Sequence, residues 1–227
     1  MTEQPEAASS VLVTLASPRS PHAEAYRTLR TNIQFSSFER SVRALLITSP
    51  GIGEGKSTTA ANLAVVNAEA GLKVILVDAD LRRPSLHTLF GLAQTPGFST
   101  ALLAGASEAI PLQETAVPGL RLLASGVLPP NPSALISSQR CLDLLEALRA
   151  QADLVLIDSP PVLAVSDASM LATRCDGVVL VISSGQTTRD AARRAKLQLD
   201  KVGATLIGPV LNRVPLDRSL ASYYEAE

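Results

Sequence analysis

The sequence predicts an α/β fold in which a mostly parallel β-sheet is flanked by helices. Five short apolar runs are separated by stretches long enough for a helix, and this alternation is typical of parallel strands joined by right-handed crossovers. The 227 residues include four Phe, three Tyr and no Trp, so Ala, Val, Leu and Ile must build the core. A chain of 227 residues that is 46% hydrophobic and 18% charged fits one globular domain.

The apolar runs locate the strands. Each run is short and rich in branched side chains, as expected of a strand buried on both faces. They lie at residues 42–48, 73–77, 154–157, 178–182 and 205–211. In a parallel sheet their carboxyl ends meet at one edge, and open α/β sheets bind ligands at that edge.

Helix signals fill the first part of the chain between these runs. Ser20 is a suitable N-cap with Pro21 at the first helical position, which predicts a surface helix within residues 20–40. An alanine-rich helix follows the first strand and runs to Ala70, where Gly71 ends it.

Two further helices are predicted in the second half of the chain. One runs without a break from about Pro132 to Ala150, with Asn131 as its cap. Another opens at Thr187, with Asp190 three residues later in the position of a capping box.

The composition argues against several classes of protein. The formal net charge of −1 gives no overall attraction to nucleic acid or anionic lipid. Residues 1–10 are acidic and polar, unlike a secretory signal, and no apolar run approaches the ~18 residues of a membrane span. Cys141 and Cys175 belong to no CxxC pattern, so we expect two packed thiols rather than a disulfide or a zinc site. We therefore expect a cytoplasmic protein with no direct membrane insertion.

A glycine-rich segment between the first strand and the alanine-rich helix has the context of a phosphate-binding loop, or Walker A segment. Alternate glycines let successive N–H groups converge on phosphate oxygens, and the helix dipole adds positive charge there. Lys56 would reach the β- and γ-phosphates, and the hydroxyl of Ser57 would bind Mg²⁺. The first glycine of the usual pattern is replaced by Pro50. The predicted phosphate-binding residues are Gly51, Ile52, Gly53, Glu54, Gly55, Lys56, Ser57 and Thr58.

Three carboxylates follow two of the buried strands. Asp78 and Asp80 lie at the carboxyl end of the second apolar run, and Asp158 ends the third. Side chains alternate along an extended segment, so Asp78 and Asp80 share one face and can both approach a metal or a hydroxyl group. Asp158 has the position of a Walker B carboxylate, which holds Mg²⁺ or its waters. Helix capping could account for any one of these aspartates alone.

The combination resembles the bacterial tyrosine kinases of capsule and exopolysaccharide synthesis, a P-loop NTPase family with Walker A, Walker A′ and Walker B segments related to the partitioning ATPases. Its Walker A′ pattern DxDxR is matched by Asp78, Asp80 and Arg82, and its Walker B pattern DxxP begins here at Asp158. The PPNP sequence at 129–132 is also similar to a segment of that family. The chain has no HRD or DFG triplet, which argues against the eukaryotic kinase fold.

The resemblance implies a kinase that uses ATP and Mg²⁺ to phosphorylate tyrosines. By analogy, Lys56 and Ser57 bind phosphate and Mg²⁺, and Asp80 and Asp158 support the metal. Asp78 would accept the proton of the tyrosine hydroxyl or help to position that group. Arg82 would contact the nucleotide, and Asn212 resembles an asparagine that contacts adenine in related ATPases.

The resemblance also implies self-association and a membrane partner. Glu24, Arg27 and Arg30 match a motif that joins subunits into a ring, although their spacing alone would favour pairing within one helix. Tyr223 and Tyr224 would be the phosphate acceptors. A membrane-embedded polysaccharide co-polymerase would act as activator and recruit the kinase to the inner face of the plasma membrane.

On this interpretation the chain is one kinase domain with four parts. These are a flexible N-terminal tail at 1–19, an oligomerisation helix at 20–40, a nucleotide-binding core at 41–215 and a tyrosine tail at 216–227.

Two other functions fit the same fold. A partitioning-type switch ATPase would bind ATP and dimerise without phosphorylating protein, but it would carry a lysine at the position of Gly51. A non-enzymatic regulator would have lost the chemistry, whereas the charged residues of the site are all present. A basic stretch after the fourth predicted strand could bind DNA: Arg189, Arg193, Arg194, Lys196 and Lys201. Asp190 and Asp200 interrupt this stretch, so a solvated helix face is the simpler interpretation.

Overall fold

A seven-stranded sheet organises the chain, and helices cover both of its faces. The computed structural model describes residues 12–36, 42–104 and 109–215. The strands are β1 (Ala44–Thr48), β2 (Val74–Asp78), β3 (Gln113–Glu114), β4 (Leu120–Leu123), β5 (Leu154–Asp158), β6 (Gly177–Ser183) and β7 (Leu206–Asn212). The helices in these residues are α1 (Val13–Ala16), α2 (Pro21–Ser36), α3 (Lys56–Glu69), α4 (Leu86–Phe90), α5 (Phe98–Ala104), α6 (Pro132–Ser137), α7 (Gln139–Arg149), α8 (Asp167–Ala172) and α9 (Arg189–Lys201).

The sheet has the order β3-β4-β2-β5-β1-β6-β7, and every neighbouring pair is parallel except β3 with β4. The predicted α/β class is therefore confirmed. The five predicted strands are β1, β2, β5, β6 and β7, while the short strands β3 and β4 were not predicted. From β1 the chain crosses to β2 on one side of the sheet, and from the neighbouring strand β5 it crosses to β6 on the other side. The carboxyl ends of β1 and β5 therefore form a switch point, the place where such sheets bind ligands.

Alternate side chains of the central strands enter two separate apolar clusters. Leu45 and Ile47 of β1 pack with the alanine-rich face of α3, whereas Leu46 packs with α7, α8 and α9 on the other face. Nearly all of these side chains are aliphatic, and Phe98 is the one aromatic side chain among the largest fully buried ones in the described residues. The aliphatic core that the composition predicted is thus divided between the two faces of the sheet.

Three local predictions need correction. Residues 13–16, assigned to a flexible tail, form α1. Leu12, immediately before this helix, is 1% exposed, and the backbone and hydroxyl of Thr14 donate hydrogen bonds to Asn62 Oδ1 of α3. The helix predicted over Pro132–Ala150 is broken at Ser138, whose extended backbone (ψ 156°) separates α6 from α7. Thr188, not Thr187, caps α9, because its side chain accepts the N–H of Ala191.

The first predicted helix begins where expected. The hydroxyl of Ser20 accepts the N–H of Ala23 at 3.2 Å, and α2 runs from Pro21 to Ser36. Residues 37–40, the end of the predicted segment, lie outside the described residues. No helix in the described residues is long and apolar enough to cross a membrane.

Candidate active site

The predicted phosphate loop connects β1 to α3 at the carboxyl edge of the sheet. Gly55, immediately before α3, has φ 91°, a left-handed conformation that favours glycine. A Cβ atom at this position would lie 2.1 Å from Asn212 Nδ2, so both the backbone angle and the space require glycine. Pro50 is accommodated, and the hydroxyl of Ser49 donates to the carbonyl of Gly51 at 2.7 Å. The loop leads directly into the positive end of α3, a favourable position for phosphate.

Lys56, the first residue of α3, binds two of the predicted aspartates. Its Nζ lies 2.9 Å from Asp80 Oδ2 and 3.4 Å from Asp158 Oδ1, and it also donates to Ser57 Oγ at 3.2 Å. Burial alone would lower the pKa of Lys56, but the attraction of Asp158, Asp80 and Asp78 outweighs it and the pKa is raised. Lys56 is therefore positively charged at neutral pH. A phosphate group would meet a fixed cation here.

Asp78 and Asp158 are direct neighbours on adjacent strands β2 and β5. Asp78 Oδ2 accepts the N–H groups of Ser85 and Leu86 at 3.1 and 3.0 Å, so it caps the start of α4. Its Oδ1 and Asp158 Oδ2 are both buried without a hydrogen-bond partner in the described part of the chain. Burial, with the nearby charge of Asp158, raises the pKa of Asp78 to about 7, and burial raises that of Asp158 as well.

Asp80 connects the cation to the Walker A′ loop. Its second oxygen, Oδ1, accepts the backbone N–H groups of Arg82 and Arg83 at 3.3 and 3.0 Å, while Oδ2 binds Lys56. The side chain of Arg82 turns to a residue that sequence analysis did not single out: its Nε lies 2.9 Å from Asp167 Oδ2. The sign that could have revealed Asp167 is its position at the start of a helix shortly after the Walker B segment.

A second group of contacts holds the phosphate loop from the β6 and β7 side. Glu54 is buried, and its Oε1 accepts the hydroxyl of Thr187 at 2.6 Å. Asn212 donates to the carbonyl of Glu54 at 3.0 Å, and Gln186 donates to that of Ile52 at 3.2 Å. The sequence did not identify Gln186 or Thr187 as residues of the site, although the turn after β6 reaches the same edge of the sheet. Both act on the loop backbone or on Glu54, so they shape the loop.

A cavity of about 450 Å³ opens beside the loop. Eight of the predicted site residues line it: Ile52, Gly53, Gly55, Lys56, Ser57, Thr58, Asp80 and Arg82. The remaining lining residues were not predicted: Arg83, Ser85, Pro160, Pro161, Ala164, Val165 and Arg213. The other predicted residues of the site do not line it: Gly51, Glu54, Asp78, Asp158 and Asn212. Asp78 and Asp158 are fully buried behind the cavity wall, where their charges act on Lys56.

The residues present fit a nucleotide and a magnesium ion. The left-handed glycine, the start of α3 and the charged Lys56 form a phosphate site, and Ser57 and Asp80 line the cavity beside it with oxygen atoms that suit a metal or its waters. Asp158 Oδ2, which has no hydrogen-bond partner among the described residues, lies behind the cavity wall next to Lys56. The described residues contain no cluster of three or more His, Cys, Asp or Glu that could hold a metal alone. This donor set suits Mg²⁺, which keeps waters and relies on phosphate oxygens with one or two carboxylates.

The predicted oligomerisation residues lie on α2, away from this cavity. Arg27 pairs with Glu24 in the same helix at 3.1 Å and donates to the carbonyl of Pro18 at 2.8 Å. Arg30 lines a separate cavity, and its Nε is buried without a partner among the described residues. Tyr223 and Tyr224 lie outside the described residues.

Comparison with known proteins decides the family. A family model described as ParA, NUBPL iron-transfer P-loop NTPase, matches residues 41–217. The chain is 45% identical to tyrosine-protein kinase YwqD of Bacillus subtilis over 214 residues, covering 94% of this chain and 90% of the relative. It is 37% identical to the putative tyrosine-protein kinase CapB of Staphylococcus aureus, covering 91% of each. The chain belongs to the bacterial tyrosine kinases.

Solved structures agree with this membership. The chimerical protein CapA2B2 matches with a TM-score of 0.87 at 39% identity, covering 91% of both chains. The kinase domain of Escherichia coli tyrosine kinase ETK matches with a TM-score of 0.83 at 31% identity, covering 91% of this chain and 82% of that domain. The septum site-determining protein MinD of Pyrococcus horikoshii shares the fold, with a TM-score of 0.64 at 22% identity. The bacterial tyrosine kinases thus elaborate the ParA-type P-loop fold, as the sequence resemblance predicted.

Proposed function

We propose that this bacterial tyrosine kinase transfers the γ-phosphoryl group of ATP to tyrosines of its own tail, Tyr223 and Tyr224, and thereby regulates capsule or exopolysaccharide synthesis. The contact that carries the proposal is the pairing of Lys56 with Asp80 and Asp158 at the end of the phosphate loop. This arrangement provides a fixed cation at the cavity, with the carboxylate of Asp80 in the cavity wall and that of Asp158 buried directly behind it. Phosphoryl transfer requires positioning and charge neutralisation more than covalent chemistry, so these groups suffice in kind.

The chain's own residues divide the work. Backbone N–H groups of the loop and Lys56 bind the phosphates, and Ser57, Asp80 and Asp158 would hold Mg²⁺, which neutralises charge on the β- and γ-phosphates. Lys56 exchanges part of its contact with the two aspartates for phosphate oxygens. Asp78 is fully buried and caps α4, which favours its role in positioning the Walker A′ loop over direct removal of the tyrosine proton.

Two parts of the proposal concern partners. Glu24, Arg27 and Arg30 of α2 would contact a neighbouring subunit in a ring, so that the tail of one subunit reaches the cavity of the next. A membrane-embedded polysaccharide co-polymerase would bind the kinase, complete the site and bring it to the inner face of the membrane. Replacing Arg27 and Arg30 by Glu should lower the oligomer mass measured by light scattering, and an unchanged mass would remove α2 from the interface.

Mass spectrometry of the tail tests the proposed activity. Purified protein is incubated with ATP and Mg²⁺, with and without the cytoplasmic segment of a co-polymerase, and phosphotyrosine is sought at Tyr223 and Tyr224. Lys56→Met should abolish the modification, whereas Lys196→Met on exposed α9 should leave it unchanged. Unmodified tyrosines in every sample, together with ATP hydrolysis and DNA binding, would favour the switch ATPase instead.

A further inference from the structure

A buried carboxylate outside the Walker segments holds Arg82 in the cavity wall. Asp167, the first residue of α8, has a side chain that is 1% exposed, whereas the side chain of Arg82 is 40% exposed. Asp167 Oδ2 lies 2.9 Å from Arg82 Nε, and Asp167 Oδ1 accepts the hydroxyl of Ser133 at 2.5 Å. Ser133 Oγ also accepts Arg82 Nη2 at 3.3 Å, so the three side chains form a closed ring of contacts.

The ring constrains one edge of the guanidinium and leaves another available. Asp167 and Ser133 take the side edge formed by Nε and Nη2, while Nη1 makes no hydrogen bond within the described part of the chain. The planar guanidinium presents two donors along its end edge, a geometry that matches phosphate oxygens. Arg82 lines the cavity beside the phosphate loop, and its end edge is the part of the guanidinium that Asp167 and Ser133 leave for a ligand.

The helix that carries Ser133 is fixed at both ends, and this gives a role to Asn131 and Pro132 of the PPNP sequence. Asn131 caps α6 by accepting the N–H of Ala134 at 3.2 Å, and Pro132 occupies the first helical turn. At the other end, Arg174 donates to the carbonyl of Ser137 at 3.0 Å and also to that of Ile136. A six-residue helix would fray without such contacts, so Asn131, Pro132 and Arg174 fix the place of Ser133.

Arg82 belongs to the γ-phosphate end of the cavity. Its backbone N–H binds Asp80, whose other oxygen binds Lys56, the residue that reaches the β- and γ-phosphates. Asn212, the predicted adenine contact, lies instead against Glu54 on the β7 side. The part of a bound nucleotide that meets the free edge of Arg82 is therefore the terminal phosphate rather than the adenine base.

We propose that Asp167 and Ser133 are positioning residues that orient Arg82 toward the γ-phosphoryl group. This inference rests on the proposed kinase function and names residues that none of the Walker segments contains. Asp167 acts only through Arg82, so its loss should weaken recognition of the terminal phosphate and slow its transfer without altering the rest of the phosphate loop.

Binding of ADP and of a non-hydrolysable ATP analogue separates this role from a structural one. For Asp167→Asn we expect the affinity for the Mg²⁺-bound analogue to fall about tenfold, the usual size of one charge-assisted hydrogen bond, with ADP affinity within about twofold of the wild type. Ser133→Ala should show a smaller loss, and Ser133→Thr, which keeps the hydroxyl, should restore it. Asp190→Asn is the matched control, because Asp190 pairs with Arg194 at 3.0 Å on exposed α9.

A double-mutant cycle with Arg82→Ala supplies the decisive comparison. If Asp167 acts through Arg82, the double variant binds the analogue no more weakly than Arg82→Ala alone. Equal losses of ADP and analogue affinity, or additive effects in the cycle, would overturn the inference. These binding results do not depend on phosphotransfer: a wild-type protein without kinase activity would refute the proposed function, whereas unchanged analogue binding in Asp167→Asn would refute this inference alone.

Discussion

Helices α3 and α9 follow the neighbouring parallel strands β1 and β6, yet their charges have different surroundings. In α3 the first residue, Lys56, is buried between Asp80 and Asp158; in α9 Lys196 pairs with Asp200. The exposed pair is the shorter, at 2.6 Å against 2.9 Å for Lys56 with Asp80. Its side chains are 57% and 41% exposed, against 11% and 4% for Lys56 and Asp80. Burial rather than distance therefore determines which lysine contributes more to stability.

Replacing each lysine by methionine tests this difference and should give the largest effect. Lys56→Met leaves Asp80 and Asp158 buried without their cation, so we expect unfolding free energy to fall by about 3–5 kcal/mol near pH 8. Phosphotransfer should fall by at least about a hundredfold. Lys196→Met should change stability by less than about 0.5 kcal/mol. Urea unfolding followed by circular dichroism, with a tail phosphorylation assay, measures both. Similar stability losses in the two variants would contradict the ranking by burial.

Glycines beside the same two helices provide a second comparison. Gly55 precedes α3 with φ 91°, and a Cβ there would displace Asn212; Gly203 follows α9 with φ 70° and has open space around it. Gly203→Ala should therefore cost only the backbone strain, about 1 kcal/mol. Gly55→Ala should add to that strain the loss of the Asn212 contact with Glu54, and reduce ATP affinity at least about tenfold. Isothermal titration with ATP and thermal unfolding check both; equal ATP affinities would show that the loop tolerates a side chain.

Some features were predictable because one local pattern decides them. The strands β1, β2, β5 and β6 are almost completely buried apolar runs, since helices cover both faces of the sheet. The edge strand β7 is also mostly apolar, but it is only partly buried. The bounds of these five strands differ from the prediction by two residues at most. The proximity of Lys56 to the aspartates that follow β2 and β5 was predictable because parallel strands bring their carboxyl ends together.

Other features depend on tertiary contacts that no local pattern carries. The strand Leu120–Leu123 contains a charged Arg121 and is only four residues long. The break at Ser138 lies at a pair of serines, which suit a helix cap but also occur within helices, so the pair alone does not decide the boundary. Asp167 and Ser133 come from separate segments, and only the fold places both beside Arg82. Leu12 is buried because α1 packs on α3. The polar residues that precede Leu12 gave no indication of this packing.

The pH dependence of stability should separate Asp78, behind the cavity, from Asp190 of α9. The folded protein holds the pKa of Asp78 at about 7, above its usual value of 3.8. Between these values the folded state binds more protons than the unfolded state, so stability falls as pH rises from about 4 to about 7. Asp78→Asn removes this contribution while its amide oxygen can still cap α4. It should flatten the dependence by up to about 1.4 kcal/mol per pH unit.

Urea unfolding at pH 5, 6, 7 and 8 without nucleotide or metal measures this slope. At pH 8 the Asp78→Asn variant should be more stable than the wild type, and Asp190→Asn should follow the wild type at every pH. A slope that is identical in wild type and Asp78→Asn would mean that Asp78 is ionised throughout this range.

The smallest effect is expected from the basic face of α9, which consists of Arg189, Arg193, Arg194, Lys196 and Lys201. If the protein were a DNA-binding switch, these exposed charges would have a function and the contrast with α3 would no longer hold. Two of these five cations are already paired, Arg194 with Asp190 and Lys196 with Asp200. Replacing Arg189, Arg193 and Lys201 by Gln should leave stability and tail phosphorylation unchanged, because these side chains are exposed and remote from the cavity lining. Fluorescence anisotropy with duplex DNA should show no binding tighter than about 10⁻⁴ M. Micromolar, salt-sensitive binding that disappears in the triple variant would assign α9 a function and favour the partitioning-type ATPase, because each phosphate contact releases counterions and steepens the salt dependence.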